Sequence, residues 1–95
     1  MKVYISGRIT GNPNYKEEFA KAELIVKAGN CEVINPAKNI LPATAGWVDY
    51  MRVCVRQLSE CDGIYMLANW QKSRGAKLEH HIAKELGLCI YYACD

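Results

Sequence analysis

The sequence lacks several features that would assign it to a specialised class of protein. Its 95 residues carry a formal net charge of only +2, too little to indicate binding of a nucleic-acid polymer or of an acidic membrane. No apolar run approaches the roughly 20 residues of a membrane span, and no repeat or linker interrupts the chain. Hydrophobic residues make up 51% and charged residues 23%, as in folded globular proteins. We therefore expect a single domain, residues 1–95, that contacts neither nucleic-acid polymers nor membranes.

The cysteines also lack an organising pattern. Five are present, an odd number, and no two form a CxxC motif, so neither a disulfide framework nor a zinc site is indicated. Buried thiols in a reducing cytosol are the simplest interpretation, which predicts a cytoplasmic protein without a metal or another cofactor. The first residues, Met1 to Ile5, predict a strand rather than a signal peptide.

What the chain does contain is a regular alternation of strands and helices. Apolar segments predict strands at residues 3–6, 31–34, 63–67 and 88–92. Apolar residues at three- and four-residue spacing predict three helices between these strands. Asn12 and Pro13 are expected to begin the first helix, and Gly29 to end it in a left-handed conformation. The buried stripe of the third helix is predicted to contain Leu78, Ile82, Ala83 and Leu86.

This alternation predicts an α/β fold, a flavodoxin- or Rossmann-like three-layer sandwich. Its four-stranded parallel sheet should have the order 2-1-3-4, with the second helix opposite the first or the third. Ligands of such sheets bind outside the carboxyl ends of the strands. A chain of this length has a thin core that cannot bury all of its aromatic residues. The apolar surface left exposed predicts a homodimer or a higher homo-oligomer. Those residues are Trp47, Tyr50, Trp70, Tyr91 and Tyr92.

Two segments at the carboxyl ends of strands could carry chemistry. The first is the loop Gly7-Arg8-Ile9-Thr10-Gly11, whose backbone N–H groups and arginine could bind an anion, although a tight turn would explain the glycines equally. In the second segment, Ser73 is expected to cap the third helix. Glu79 lies beside the apolar stripe of that helix, where it could face a cleft as a nucleophile or base. The alternative for Glu79 is an exposed glutamate paired with a lysine. Trp70 could stack on a base or pack into a subunit interface.

The two segments together resemble the nucleoside 2-deoxyribosyltransferase-like superfamily. The nearer resemblance is to its small uncharacterised bacterial and phage branch, domain of unknown function 4406. The opening strand with its glycine loop, residues 3–11, resembles the first signature of the family. The second signature is resembled by residues 61–67, Trp70, residues 73–79 and Ala83. The similarity covers nearly the whole chain and supports the flavodoxin-like fold.

The resemblance implies roles for several residues. Glu79 matches the family's nucleophilic glutamate, which attacks the anomeric carbon, and Tyr4 matches a tyrosine that positions it. The expected contacts of a nucleotide or nucleoside, including its 5′-phosphate, are Gly7, Arg8, Ile9, Thr10, Gly11, Trp70, Ser73 and Gly75. One departure concerns the acid: active relatives carry an aspartate where this chain has Cys54, and a thiol is a poor general acid.

Three hypotheses follow. The first is an N-glycosidase or deoxyribosyltransferase that uses Glu79 and another acid, such as Asp49 or a group from a partner chain. The second is a non-catalytic module that binds a nucleotide or a nucleotide-derived signal. The third, a purely structural subunit, has no positive support in the sequence.

Overall fold

A computed structural model describes residues 1–94 of the chain and contains four strands and three helices. In chain order these are β1 (Lys2–Ser6), α1 (Tyr15–Ala28), β2 (Glu32–Ile34), α2 (Trp47–Ser59), β3 (Gly63–Met66), α3 (Arg74–Glu85) and β4 (Cys89–Tyr92). Two short 3₁₀ turns, Pro36–Lys38 and Trp70–Lys72, follow β2 and β3. The predicted strands agree with the structure to within one residue at each end. Among residues 1–94, no helix has the length and apolar character needed to cross a membrane.

The sheet has the predicted topology. All three strand pairs are parallel and the order is β2-β1-β3-β4, so β1 lies between β2 and β3, with Tyr4 aligned to both Ile34 and Ile64. Parallel neighbours require crossover connections, and the three helices supply them. Helix α1 covers one face of the sheet, and α2 packs beside α3 on the other. The fold is therefore the flavodoxin-like α/β sandwich, with the second helix opposite the first.

Alternate residues of β1 divide the core into two parts, because successive side chains of a strand point to opposite faces. Tyr4 belongs to the cluster under α2 and α3, whereas Ile5 packs with Phe19 of α1. Both β1 residues are fully buried. The central position of β1 thus brings its hydroxyl-bearing residues, Tyr4 and Ser6, beneath the helices that line the carboxyl edge.

The predicted start of α1 and the predicted conformation of Gly29 were wrong, although the helix does end at Ala28, directly before Gly29, as expected. The N-cap is Asn14 rather than Asn12, and Pro13 precedes the helix. Asn12 instead closes a preceding turn, since its side-chain oxygen accepts the N–H of Asn14 at 3.2 Å. At the other end Gly29 has a φ of −86° and the left-handed residue is Asn30, with a φ of +61°. Asparagine tolerates this region because its side chain can hydrogen-bond locally.

The predicted stripe of α3 was also wrong in part. Leu78 and Leu86 are exposed, whereas the buried residues of the helix are Ala76, Glu79 and Ala83. Small alanine side chains let α3 approach the sheet closely, and they turn the helix so that Glu79 points inward. Gly87 follows the C-cap residue Leu86 and has a left-handed φ of +71°. The sequence therefore misassigned the orientation of the helix that carries the central carboxylate.

Candidate functional site

A cleft opens at the carboxyl edge of the sheet, between the loop after β1 and the N-terminal parts of α2 and α3. The cavity volume is about 40 Å³, and the space between these elements is about 370 Å³ when the solvent at the open mouth is counted. This is the position at which open parallel sheets bind their ligands. Its lining comprises Tyr4, Ile5, Gly7, Ile9, Thr10, Phe19, Pro36, Trp47, Tyr50, Met51, Ser73, Gly75, Ala76 and Glu79.

Glu79 is the acidic side chain of this lining, and it is only 5% exposed. The Tyr4 hydroxyl donates to its Oε2 at 2.6 Å, and the Ser6 hydroxyl donates to its Oε1 at 2.7 Å. Burial raises the pKa of Glu79 to about 7, although both hydrogen bonds oppose the rise because they favour the carboxylate. The alternative of an exposed glutamate paired with a lysine is thereby excluded. The site holds a carboxylate that titrates near neutral pH in a fixed orientation.

Cys54 of α2 lies in the same polar cluster and is 1% exposed. Its thiol interacts with the hydroxyls of Tyr4 and Tyr50, and burial together with the nearby Glu79 raises its pKa. Tyr50 in turn donates to the carbonyl oxygen of Pro36 at 3.1 Å. Burial also raises the pKa of Tyr4 well above its ordinary value, so Tyr4 remains protonated and can donate to Glu79. At neutral pH the cluster therefore contains a neutral thiol beside the titrating carboxylate.

The glycine loop after β1 has two distinct structural requirements. A Cβ at Gly7 would lie 2.6 Å from Cδ1 of Leu67, so this position allows close approach of the segment that follows β3. Gly11 has a φ of +74°, and a Cβ there would lie 3.1 Å from a guanidinium nitrogen of Arg8. Arg8 itself donates through Nε to the carbonyl oxygen of Thr10 at 3.3 Å. The side chain of Arg8 therefore lies against the C-terminal end of its own loop, at Thr10 and Gly11.

A second, more cationic pocket adjoins the cleft and shares Thr10, Trp47, Ser73 and Gly75 with it. Three of the seven residues that line this pocket are cationic, namely Arg8, Lys72 and Arg74. The guanidinium of Arg74 stacks 3.9 Å above the ring of Trp47.

The pocket also receives the N-terminal end of α3. The Ser73 side chain accepts the N–H of Ala76 at 3.1 Å, which confirms the predicted cap. Helix N-termini favour negative charge, as do the three cations of the lining. The pocket is therefore suited to an anion such as a phosphate.

Most of the sequence-predicted site residues come together at this edge. The main cleft is lined by Tyr4, Gly7, Ile9, Thr10, Ser73, Gly75 and Glu79, and Arg8 lines the adjoining pocket. Gly11 is exposed and supports the loop through its backbone conformation.

Trp70 lies outside this group. It stacks on the His80 ring at a centroid distance of 4.2 Å, and His80 Nε2 is 2.7 Å from the hydroxyl of Tyr92. Asp49, one of the candidate acids, is exposed. Its carboxylate accepts the N–H of Gly46 at 2.9 Å and thereby stabilises the start of α2.

Three lining residues of α2 were not predicted as part of the site: Trp47, Tyr50 and Met51. From the sequence, Trp47 and Tyr50 were expected to add to the apolar surface that the core cannot cover. Their position in the first turns of a helix that starts near the carboxyl edge is the signal that could have identified them. Among residues 1–94, no group of three His, Cys, Asp or Glu side chains is arranged to hold a metal ion.

Fold and cleft together define a small flavodoxin-like α/β domain with a buried carboxylate next to a cationic pocket. Comparison with known protein families identifies the family of the chain. The model of DUF4406, a domain of unknown function, matches residues 1–92, and the chain belongs to that family. No curated protein matches the sequence.

Proposed function

We propose that the protein binds a 2′-deoxynucleoside 5′-monophosphate and cleaves or transfers its N-glycosidic bond. The observation that carries this proposal is the arrangement of Glu79, a buried carboxylate held by two hydroxyls, in a cleft continuous with a cationic pocket. The phosphate would occupy the pocket around Arg8, and the sugar would lie between that pocket and Glu79. The resemblance to nucleoside 2-deoxyribosyltransferases supports the same assignment, because Glu79 matches their nucleophile.

The proposed reaction starts from ionised Glu79. A carboxylate oxygen attacks C1′ of the sugar, the N-glycosidic bond breaks, and the base departs with the bonding electron pair and acquires a proton. Water then attacks C1′ of the glycosyl ester and loses a proton to solvent, which releases the sugar phosphate and regenerates the carboxylate. In a transferase, the nitrogen of a second base would replace the water. Tyr4 and Ser6 hold the carboxylate in one orientation throughout.

For catalysis, the departing base must also receive a proton from an acidic group. The resembling enzymes have an aspartate where this chain has Cys54, and the pKa of this thiol is raised by burial. Asp49 of the same chain is exposed and caps α2. This arrangement favours slow catalysis, and it also supports a second candidate function, a module that binds a nucleotide or nucleotide-derived signal without cleaving it.

Base release from the four common 2′-deoxynucleoside 5′-monophosphates, followed by chromatography, tests the proposal. We expect slow release by the wild type, no release by Glu79→Ala, and similar affinity of both proteins for the nucleotide, because a nucleophile lowers the barrier without setting the affinity. Cys54→Asp should raise the rate if a missing acid limits it. Binding without base release would decide for the non-catalytic module, and absence of binding to all four nucleotides would refute both functions.

We further propose that the protein is a cytoplasmic homodimer or a higher homo-oligomer. A groove over β3 and β4, on the α1 side of the sheet, is lined mainly by apolar side chains such as Val3, Ile25 and Tyr65. Ile25 in this groove is 54% exposed, and Tyr91 on β4 is 44% exposed. A second copy that buried this surface would remove apolar area from water.

A further inference from the structure

A polar cluster lies behind the glycine loop, on the side away from the main cleft. The side-chain amide nitrogens of Asn12 and Asn69 both donate to Oε1 of Glu18, at 2.7 and 3.2 Å. We call these three residues the amide clamp. They come from three different segments, namely the end of the glycine loop, α1 and the loop after β3. Glu18 and Asn69 also line a separate cavity on the α1 side of the sheet.

The amide clamp holds both polar groups of the Arg8 backbone. The N–H of Arg8 donates to Oδ1 of Asn69 at 3.1 Å, and the carbonyl oxygen of Arg8 accepts from Nδ2 of Asn12 at 3.0 Å. A carboxylate can only accept hydrogen bonds, so Glu18 forces both amide nitrogens to face it. This fixes the oxygen of Asn69 toward the Arg8 N–H. The backbone from which the Arg8 side chain projects is therefore restrained on both sides.

We propose that Asn12, Glu18 and Asn69 are positioning residues for the anion-binding pocket, and that they act through Arg8 without contacting the ligand. This inference rests on the proposed function, in which Arg8 binds the phosphate of a nucleotide. Preorganised binding groups lose less conformational freedom when the ligand binds. Loss of the clamp should therefore weaken ligands that carry the phosphate and leave those without it unchanged.

Calorimetric titration of the four 2′-deoxynucleoside 5′-monophosphates and of the matching nucleosides tests this selectivity. Asn69→Ala should weaken monophosphate binding roughly five- to ten-fold, the effect of one lost hydrogen bond, and leave nucleoside binding unchanged. Glu18→Gln is the matched control: its amide oxygen can still accept both hydrogen bonds, so monophosphate affinity should fall less than in Asn69→Ala. Asn69→Asp should be at least as harmful as Asn69→Ala, because it sets a second carboxylate against Glu18.

A double-mutant cycle with Arg8→Ala separates positioning from general stability. If the clamp acts through Arg8, Asn69→Ala should cost no further affinity in the Arg8→Ala background. Equal losses for nucleosides and monophosphates, or additive losses in the double variant, would overturn the inference.

Amide hydrogen exchange tests the clamp without any ligand. In Asn69→Ala the Arg8 amide should exchange roughly five-fold faster or more, as expected when one hydrogen bond is lost, whereas the Ile5 amide inside β1 should be unaffected. An unchanged Arg8 rate would overturn the clamp even if nucleotides bind. Failure of the wild type to bind any monophosphate would instead refute the proposed function, and with it the role of the clamp in phosphate binding. The exchange result would still decide whether the clamp holds the loop.

Discussion

Replacing Glu79 with glutamine should stabilise the protein at alkaline pH. The pKa of Glu79 rises from its ordinary 4.5 to about 7 on folding, because burial disfavours the carboxylate. The folded state then binds more protons than the unfolded state between these two values, so stability is lost as pH rises through about 7. A shift of this size corresponds to about 3 kcal/mol. Glutamine is neutral at every pH and avoids this cost while it retains a hydrogen-bonding side chain in the position of Glu79.

Urea denaturation of wild type and Glu79→Gln at pH 5 and pH 8 measures the effect. The variant should gain up to about 3 kcal/mol relative to wild type between the two pH values. Any fixed cost of altered hydrogen bonds to Tyr4 and Ser6 cancels in this difference. Burial lowers the pKa of His80, but this titration is common to both proteins and cancels in the difference. Glu23, whose pKa is lowered to about 2 by Lys27, is ionised at both pH values. A stability gap that is the same at both pH values would refute the argument.

The hydrogen bonds and surfaces of the site give three further predictions. Tyr4→Phe removes a donor that lowers the pKa of Glu79, so the carboxyl titration followed by carbon NMR should move above 7; an unmoved midpoint would contradict the 2.6 Å hydrogen bond. Arg8→Ala should remove most of the preference for monophosphates over nucleosides in calorimetry, about 1–3 kcal/mol for a charge-assisted contact. If the wild type has no such preference, the glycine loop is only a turn. Light scattering at high micromolar concentration should show an oligomer that Ile25→Asp weakens, whereas a monomeric wild type would exclude self-association through this groove.

The fold could be predicted from the sequence because its signals are local and mutually consistent. Residues 3–6 and 63–67 are short apolar runs bounded by turns, and three amphipathic segments separate the strands. Once strands and helices alternate, right-handed crossovers leave few possible strand orders. The edge of the sheet at which the cleft lies also follows from the fold, because open parallel sheets have their crevice at the carboxyl ends of the strands. The gathering of Tyr4, Ser73 and the glycine loop around one cleft could therefore be anticipated without coordinates.

The parts that could not be predicted depend on contacts between distant segments. Hydropathy ranks Leu78 as a better core residue than Ala76, but close packing of α3 on the sheet selects the alanine and exposes the leucine. The same rotation buries Glu79, whose partner hydroxyls lie 75 and 73 positions away in the chain. Trp70 similarly finds its stacking partner in His80 of the following helix. Helical periodicity identifies an amphipathic helix, yet it does not determine which of its residues pack against the sheet.

The burial of Glu79 argues against a purely structural role for this domain. Small domains have a net stability of roughly 5–15 kcal/mol, and an ionised buried carboxylate with a pKa of about 7 lowers that stability by about 3 kcal/mol above neutral pH. An apolar side chain of similar volume would fill the same space between Tyr4 and Cys54 without this cost. A carboxylate held in place by two hydroxyls in a cleft beside a cationic pocket is instead expected where ionisation itself is used. The destabilisation predicted for wild type at pH 8 therefore results from burying the ionised carboxylate of Glu79, the side chain to which we assign the chemistry.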